Sequence, residues 1–271
     1  MFINSLLQPP KGFTMKDDLN NLNKPYLGRG IVFGKNDEGV SFVTYILTGR
    51  SDSSKARILK FDDNFGVTYT EPTDREKLGE GSPILLLYPA IISVEDNIVV
   101  GNGIQTELVH THMLQFPSFN YPPQVLESSL SRSSFRYDSK KFGFIDIASF
   151  EPDVPNYTPR ITGCVIGNYA GYAIVRHGKG GKAEKEYKEL NLGSMENGQS
   201  KLIMTYDGVD TGKEHLHSFA GKPLDLRLTG KDEREISEKV REAINPNTFV
   251  AVATQFAIDG RTPNIINLHG E

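Results

Sequence analysis

From Tyr26 onward, the hydrophobic and polar positions fall mainly into short alternating or apolar runs, the spacing of strands. Gly30-Ile31-Val32-Phe33 and Val40 to Thr48 are separated by Asn36-Asp37-Glu38-Gly39, which has the composition of a hairpin turn. Lys55 to Phe61 and Gly66 to Thr70 make a second expected pair around Asp62-Asp63-Asn64. Pro83 to Ser93 is apolar apart from Tyr88 and its last residue, and predicts a strand buried on both faces. Helical spacing follows over Thr106 to Leu114 and over Pro123 to Phe135. A third helix is predicted over Asp232 to Ile244, where Ile236, Val240, Ala243 and Ile244 share a face, acids fill the first turn, and Asn245-Pro246 stops the pattern. Thr248 to Ile258 reads as a strand. The order is strands, helices, strands, helix, strand. That order predicts an α+β domain with two packed sheets, because a doubly wound parallel fold requires regular strand-helix alternation.

Composition narrows the function classes. The chain has 271 residues and 38% hydrophobic content, enough for one sizeable core. A net charge of -4 argues against a general nucleic-acid surface, so an anionic ligand has to meet a local arginine cluster. The single cysteine, Cys164, excludes an intramolecular disulfide and reads as a small buried hydrophobe in a strand. Met1 to Asn23 lacks the apolar core of a signal peptide, and no apolar run reaches bilayer length. These features predict a soluble cytoplasmic protein without a membrane partner.

Several stretches carry candidate chemistry. Asn156-Tyr157-Thr158-Pro159-Arg160-Ile161 puts two hydroxyls and a guanidinium around a fixed proline at the mouth of an apolar strand. Gly101-Asn102-Gly103-Ile104-Gln105-Thr106-Glu107 is a glycine turn opening a helix. There Thr106 is the expected cap, and Asn102 and Gly103 would expose backbone N–H groups at the positive end of the dipole. Gly171 to Gly178 is an alternating strand ending in Arg176 and His177. Other matches fail on spacing. Gly28-Arg29-Gly30 with Gly34 leads into a strand, unlike a dinucleotide fingerprint, and Gly178-Lys179-Gly180-Gly181-Lys182 lacks the Ser or Thr of a phosphate loop and reads as a hairpin tip. His110 with His112, and His215 with His217, lack the further ligands of a zinc site, so no metal is expected. The charged run Lys182 to Glu189 reads as a solvent-facing segment.

Taken in order with Tyr26-Leu27-Gly28-Arg29-Gly30 and Thr48-Gly49-Arg50-Ser51, these blocks resemble the archaeal-type IMP cyclohydrolase family. The resemblance runs from Tyr26 to about His177. It departs from the family at Gln105, where the family carries histidine, and at Pro89. It implies a four-layer αββα sandwich of the Ntn-hydrolase-like type with mostly antiparallel sheets. Residues 1–25 would then be an extension and residues 26–271 a single catalytic domain. The implied activity is closure of the purine ring of 5-formamidoimidazole-4-carboxamide ribotide to inosine monophosphate and water. No cofactor is implied, and the partners are a purine ribonucleotide and further copies of the chain in a homo-oligomer. The implied catalytic residues are Tyr88, Asn102, Arg160 and Glu107. The implied substrate contacts are Arg29, Arg50, Gly103, Thr106, Tyr157, Thr158, Arg176 and His177.

Two other classes stay in view. A purine-nucleotide sensor without activity would keep the arginines and lose the groups that polarise the formyl oxygen. An Ntn-type amidohydrolase would need a Ser, Thr or Cys exposed at a mature N-terminus, and nothing near Met1 offers an evident processing point.

Overall fold

The computed structural model describes residues 16–74, 82–118, 120–208 and 216–270. Among these the chain opens with β1 (Arg29–Lys35) and β2 (Ser41–Thr48), the expected hairpin. A single helical turn, α1 (Asp52–Lys55), leads into β3 (Arg57–Asp62) and β4 (Val67–Pro72). The segment expected as one long strand divides instead. Pro83–Leu86 is a helical turn, α2, with proline in its first position, and only Pro89–Val94 is extended, as β5. Apolarity marked burial there but not the backbone conformation.

Next come β6 (Asn97–Gly101), α3 (Gln105–Gln115) and α4 (Pro122–Leu130). Helix α4 stops five residues short of the expected Phe135, which opens β7 (Phe135–Asp138), the first half of a small hairpin with β8 (Gly143–Asp146). The chain continues through β9 (Arg160–Ile166), β10 (Tyr169–His177) and β11 (Ala183–Leu190), so the charged run is an edge strand. It ends with β12 (Gln199–Met204), β13 (Leu224–Arg227), α5 (Glu233–Ala243), β14 (Phe249–Phe256) and β15 (Asn264–Asn267). Asp232 caps α5 by accepting from the backbone N–H of Glu235 at 2.9 Å.

The strands form two large sheets, in the orders β13-β12-β1-β2-β14-β15 and β11-β10-β9-β6-β5-β4-β3. Every ladder between them is antiparallel. The fold is therefore mixed α and β with mostly antiparallel sheets, as expected. All eight residues of β2 and all eight of β14 are buried, which requires cover on both faces. One cover is α5, packed on β14 and β15 through Ile236 and Val240. On the other side, one continuous apolar core joins Ile31, Phe33 and Tyr45 of the first sheet to Ile98, Ile161 and Ile174 of the second. The second sheet carries α3 and α4 over a separate cluster that includes Val109, Val125, Leu126, Val99 and Cys164.

Gly163 lets the two sheets meet. A Cβ there would lie 2.3 Å from the Phe33 ring, so only glycine admits that ring against β9. Residues 16–25 also join the body. Asp18 exchanges backbone hydrogen bonds with Arg227 on β13, and Leu22 is buried in the shared core. No helix among the described residues is long and apolar enough to cross a membrane.

Candidate active site

Arg160 is the first residue of β9 and Arg29 the first of β1, so the starts of two central strands, one from each sheet, bring two guanidiniums together. Both are buried, and the carboxylate between them is Glu151, from the loop before β9. Glu151 Oε1 accepts from Arg29 Nη2 at 2.8 Å and lies 3.7 Å from Arg160 Nη1. Burial works against the charge of Arg29, but Glu151 together with the Tyr88, Tyr45 and Tyr206 phenols outweighs it and holds the guanidinium protonated well above its ordinary range. Burial also pushes the Glu151 carboxyl up, with both arginines pulling against it, and pulls Arg160 down. Glu151 therefore takes up its proton at a higher pH than an exposed glutamate would.

The glycine turn before α3 builds the seat for Arg160. Gln105 Oε1 accepts from Arg160 Nη1 at 3.0 Å, while Gln105 Nε2 donates to Asn102 Oδ1, the Ile161 carbonyl and Thr162 Oγ1. A Cβ on Gly103 would sit 2.0 Å from Arg160 Nη1, so that position has to be glycine for the guanidinium to lie where it does. Asn102 Oδ1 accepts from the Ile161 N–H, and its Nδ2 donates to the Pro159 carbonyl. The amide assigned to substrate by the resemblance thus staples the turn to β9. Thr106 is not a cap, because Ile104 occupies that position and the Thr106 hydroxyl donates to the Gly103 carbonyl. Arg160 keeps its Nε and Nη2, and Arg29 its Nε, buried without partners. A buried donor costs free energy until a ligand satisfies it.

Tyr88 precedes β5, and its hydroxyl is 2.8 Å from that of Tyr45 on β2. Burial, with Tyr88 beside it, pushes the Tyr45 phenol well above its usual range, so that phenol keeps its proton. Thr158 bonds Tyr206 at 2.6 Å and Asp153 at 2.5 Å, which fixes the loop that carries Glu151.

A cavity of about 290 Å³ opens on this cluster, at the small end of the range for ligand pockets. Arg29, Glu151, Asp153 and Tyr26 line it from one set of elements, and Ser53, Ser54 and Arg57 from α1 and β3. Ser82 and Lys141 complete its polar lining. Arg57 is buried, and its Nε donates to the Ser54 carbonyl at 3.1 Å. No described carboxylate pairs with it. The lining therefore carries Arg29, Arg57 and Lys141 against Glu151 and the half-buried Asp153, an excess of positive charge, while Arg160 lies outside the lining, beside Glu151. A larger depression of about 530 Å³ between β3 and β15 is lined mainly by Ile58, Leu59, Phe61, Pro263 and Ile265, without a buried charge.

Of the residues expected from sequence, the structure gathers Arg29, Tyr88, Asn102, Gly103, Thr106, Thr158 and Arg160, with Arg50 at the rim, 4.8 Å above the Tyr26 ring. Others lie apart. Arg176 is engaged by Glu186, Glu184 and the Phe219 carbonyl, and Glu107 is exposed on the first turn of α3. Tyr157 stacks on His177 at 4.2 Å, outside the cavity lining. His215 lies outside the described residues. Arg57, Glu151 and Lys141 were not singled out from sequence. A cation between Ala56 and Ile58 in a strand was the one local signal available for Arg57. The Cys164 thiol is buried and pushed up to about 12, which suits a packing role. No group of three or more metal-binding side chains occurs among the described residues.

Residues 26–140 match the family model described as IMP cyclohydrolase-like protein. That segment, and most of the chain beyond it, is similar to IMP cyclohydrolases. An IMP cyclohydrolase of Methanococcus maripaludis strain C5 is 26% identical over 222 residues, covering 80% of this chain and 93% of that protein. Its counterpart from strain C7 is 26% identical over 200 residues, covering 73% and 82%. A third, from strain S2, is 24% identical over 238 residues, covering 87% of this chain and 96% of the relative. The segment matched by the family model contains Arg29, Arg57, Tyr88 and the Gly101–Glu107 turn, while Glu151 and Arg160 lie beyond it.

Proposed function

We propose that the protein is an IMP cyclohydrolase, closing the purine ring of 5-formamidoimidazole-4-carboxamide ribotide to inosine monophosphate and water. The observation that carries this reading is the buried Arg29–Glu151–Arg160 cluster, with unpartnered guanidinium N–H groups beside a cavity of net positive lining. Ring closure requires a phosphate-binding cation, close approach of the two ring substituents, and donors for the formyl oxygen as charge develops on it.

Each requirement has a candidate. Arg57, unpaired and lining the cavity, takes the phosphate through a charge-assisted fork. The free Nε and Nη2 of Arg160 donate to the formyl oxygen while the carboxamide nitrogen attacks the formyl carbon. Glu151 accepts the proton that leaves that nitrogen. The Tyr88–Tyr45 hydroxyl pair supplies a proton to the oxygen, which departs as water with the second nitrogen-bound proton. Arg50 and Tyr26 flank the mouth.

The same reading takes the two sheets, with α5 on one outer face and α3 and α4 on the other, as an Ntn-hydrolase-like αββα sandwich. Residues 26–271 then form one catalytic domain, acting in the cytoplasm as a homo-oligomer on a purine ribonucleotide. Incubation with the formylated ribotide and chromatographic detection of inosine monophosphate tests the proposal. Product well above the uncatalysed amount supports it. Binding without product favours a sensor, and neither product nor binding contradicts any nucleotide site.

A further inference from the structure

The turn of the small β7–β8 hairpin reaches the cavity. Lys141 and Phe142 line it, although they are distant in sequence from Arg57, Ser53 and Ser54 on its other elements. The hairpin is only a two-stranded ribbon, and Phe135, Tyr137 and Phe144 on it are exposed. Its seat on the body is apolar and small: Phe142 and Ile145 pack with Leu85 of α2, and with Ile104 and Leu108 at the start of α3.

A ribbon with so little packing does not fix a turn by itself. Asp138 does so here. Its side chain is buried and accepts from the backbone N–H groups of Lys140 at 3.2 Å, Lys141 at 3.3 Å and Phe142 at 3.1 Å. The consequence is a cation presented at the rim. Lys141 forms no ion pair with a described carboxylate; its Nζ rests 5.3 Å above the Phe142 ring. Among the cavity residues, Arg57 likewise lacks a carboxylate partner.

We infer that the hairpin turn is a phosphate-recognition element, in which Lys141 is a specificity-determining residue that binds the ligand's phosphate opposite Arg57 and Asp138 is the positioning residue that holds it there. The inference rests on the nucleotide reading of the cavity. A mobile point charge at the rim complements the rigid fork of Arg57, because an ammonium engages a phosphate without a fixed geometry. The Ser82 hydroxyl, buried without a partner, and that of Ser53 are at hand as further donors.

The test is equilibrium binding of inosine monophosphate and of inosine to the wild-type chain and to Lys141→Ala, Lys141→Arg and Asp138→Asn. Lys141 is exposed, so its replacement leaves the fold intact. The expected result is about a tenfold loss of affinity for the monophosphate in Lys141→Ala, with inosine unchanged and the arginine variant close to wild type. Asp138→Asn loses affinity for the monophosphate in the same selective way. Equal affinities of Lys141→Ala and wild type for the monophosphate, or equal losses for both ligands, overturn the inference. If the wild type binds neither ligand, the cyclohydrolase reading fails on its own. The hairpin is then judged with inorganic phosphate as the probe, where weaker binding by Lys141→Ala supports it and unchanged binding overturns it.

Discussion

At the scale of single residues, the site depends on how a few short contacts seat one guanidinium. Gly103→Ala drives a methyl group into Arg160 Nη1, so we expect ring closure to slow by about 10²-fold, as when one preorganised donor is lost, with little change in melting temperature. Steady-state rates beside a thermal melt check this. Gln105 is a positioning residue for the same group, and its amide joins Arg160 to Asn102, Ile161 and Thr162. Glu151 sets the pH dependence. Because burial holds its carboxyl above the ordinary glutamate value, the base form is lost early on acidification. The rate should therefore fall on the acid side at a pH above that of a free glutamate. Glu151→Gln should lose about 10²-fold or more and remove that limb. An unchanged acid limb in the variant would assign it to another group.

Residue chemistry was legible in sequence where a motif marked it. Arg160 and the Gly101–Glu107 turn stand out by composition and Arg29 by the resemblance of its block, and the structure brings Arg29, Arg160 and the start of that turn together. Arg57 and Glu151 did not stand out, because a lone charge in a strand or loop gives no sign of whether it faces solvent or a cavity. Only the meeting of two sheets and a loop decides that. Arg176 illustrates the reverse case: a conspicuous strand-end cation is held by two glutamates of the neighbouring strand.

At the scale of elements, period and punctuation predicted the strands well and the helix ends less well. Helix α5 appeared close to its expected bounds because a capping aspartate, an apolar face and Asn245-Pro246 agree. Helix α4 ended early, since Phe135 was needed to start a hairpin by pairing with Asp146, eleven residues ahead. Helix α2 was missed because its four apolar residues have no polar face to betray a helical period. The contact between sheets makes its own prediction. Gly163→Ala forces a methyl group against the Phe33 ring and should cost about 1–3 kcal/mol by overpacking, read as a lower denaturation midpoint with an unchanged slope. A neutral outcome would mean that the two sheets yield at Phe33.

At the scale of the whole molecule, two antiparallel sheets share one core and meet where their central strands begin, and the charge buried at that meeting has no counterpart in the overall balance of -4. An acidic protein thus carries a local cationic cavity, as the composition required of any anion-binding role. The central claim is that Arg160, seated by Gly103 and Gln105 and beside Glu151, polarises the formyl oxygen during ring closure. The most direct measurement is the rate of ultraviolet absorbance change on mixing 5-formamidoimidazole-4-carboxamide ribotide with the wild-type protein and with Arg160→Ala, each checked for native fold by circular dichroism. The account predicts inosine monophosphate formation by the wild type and a loss of about 10²–10³-fold in the folded variant. Equal rates for the two proteins, or no turnover by the wild type, would contradict it.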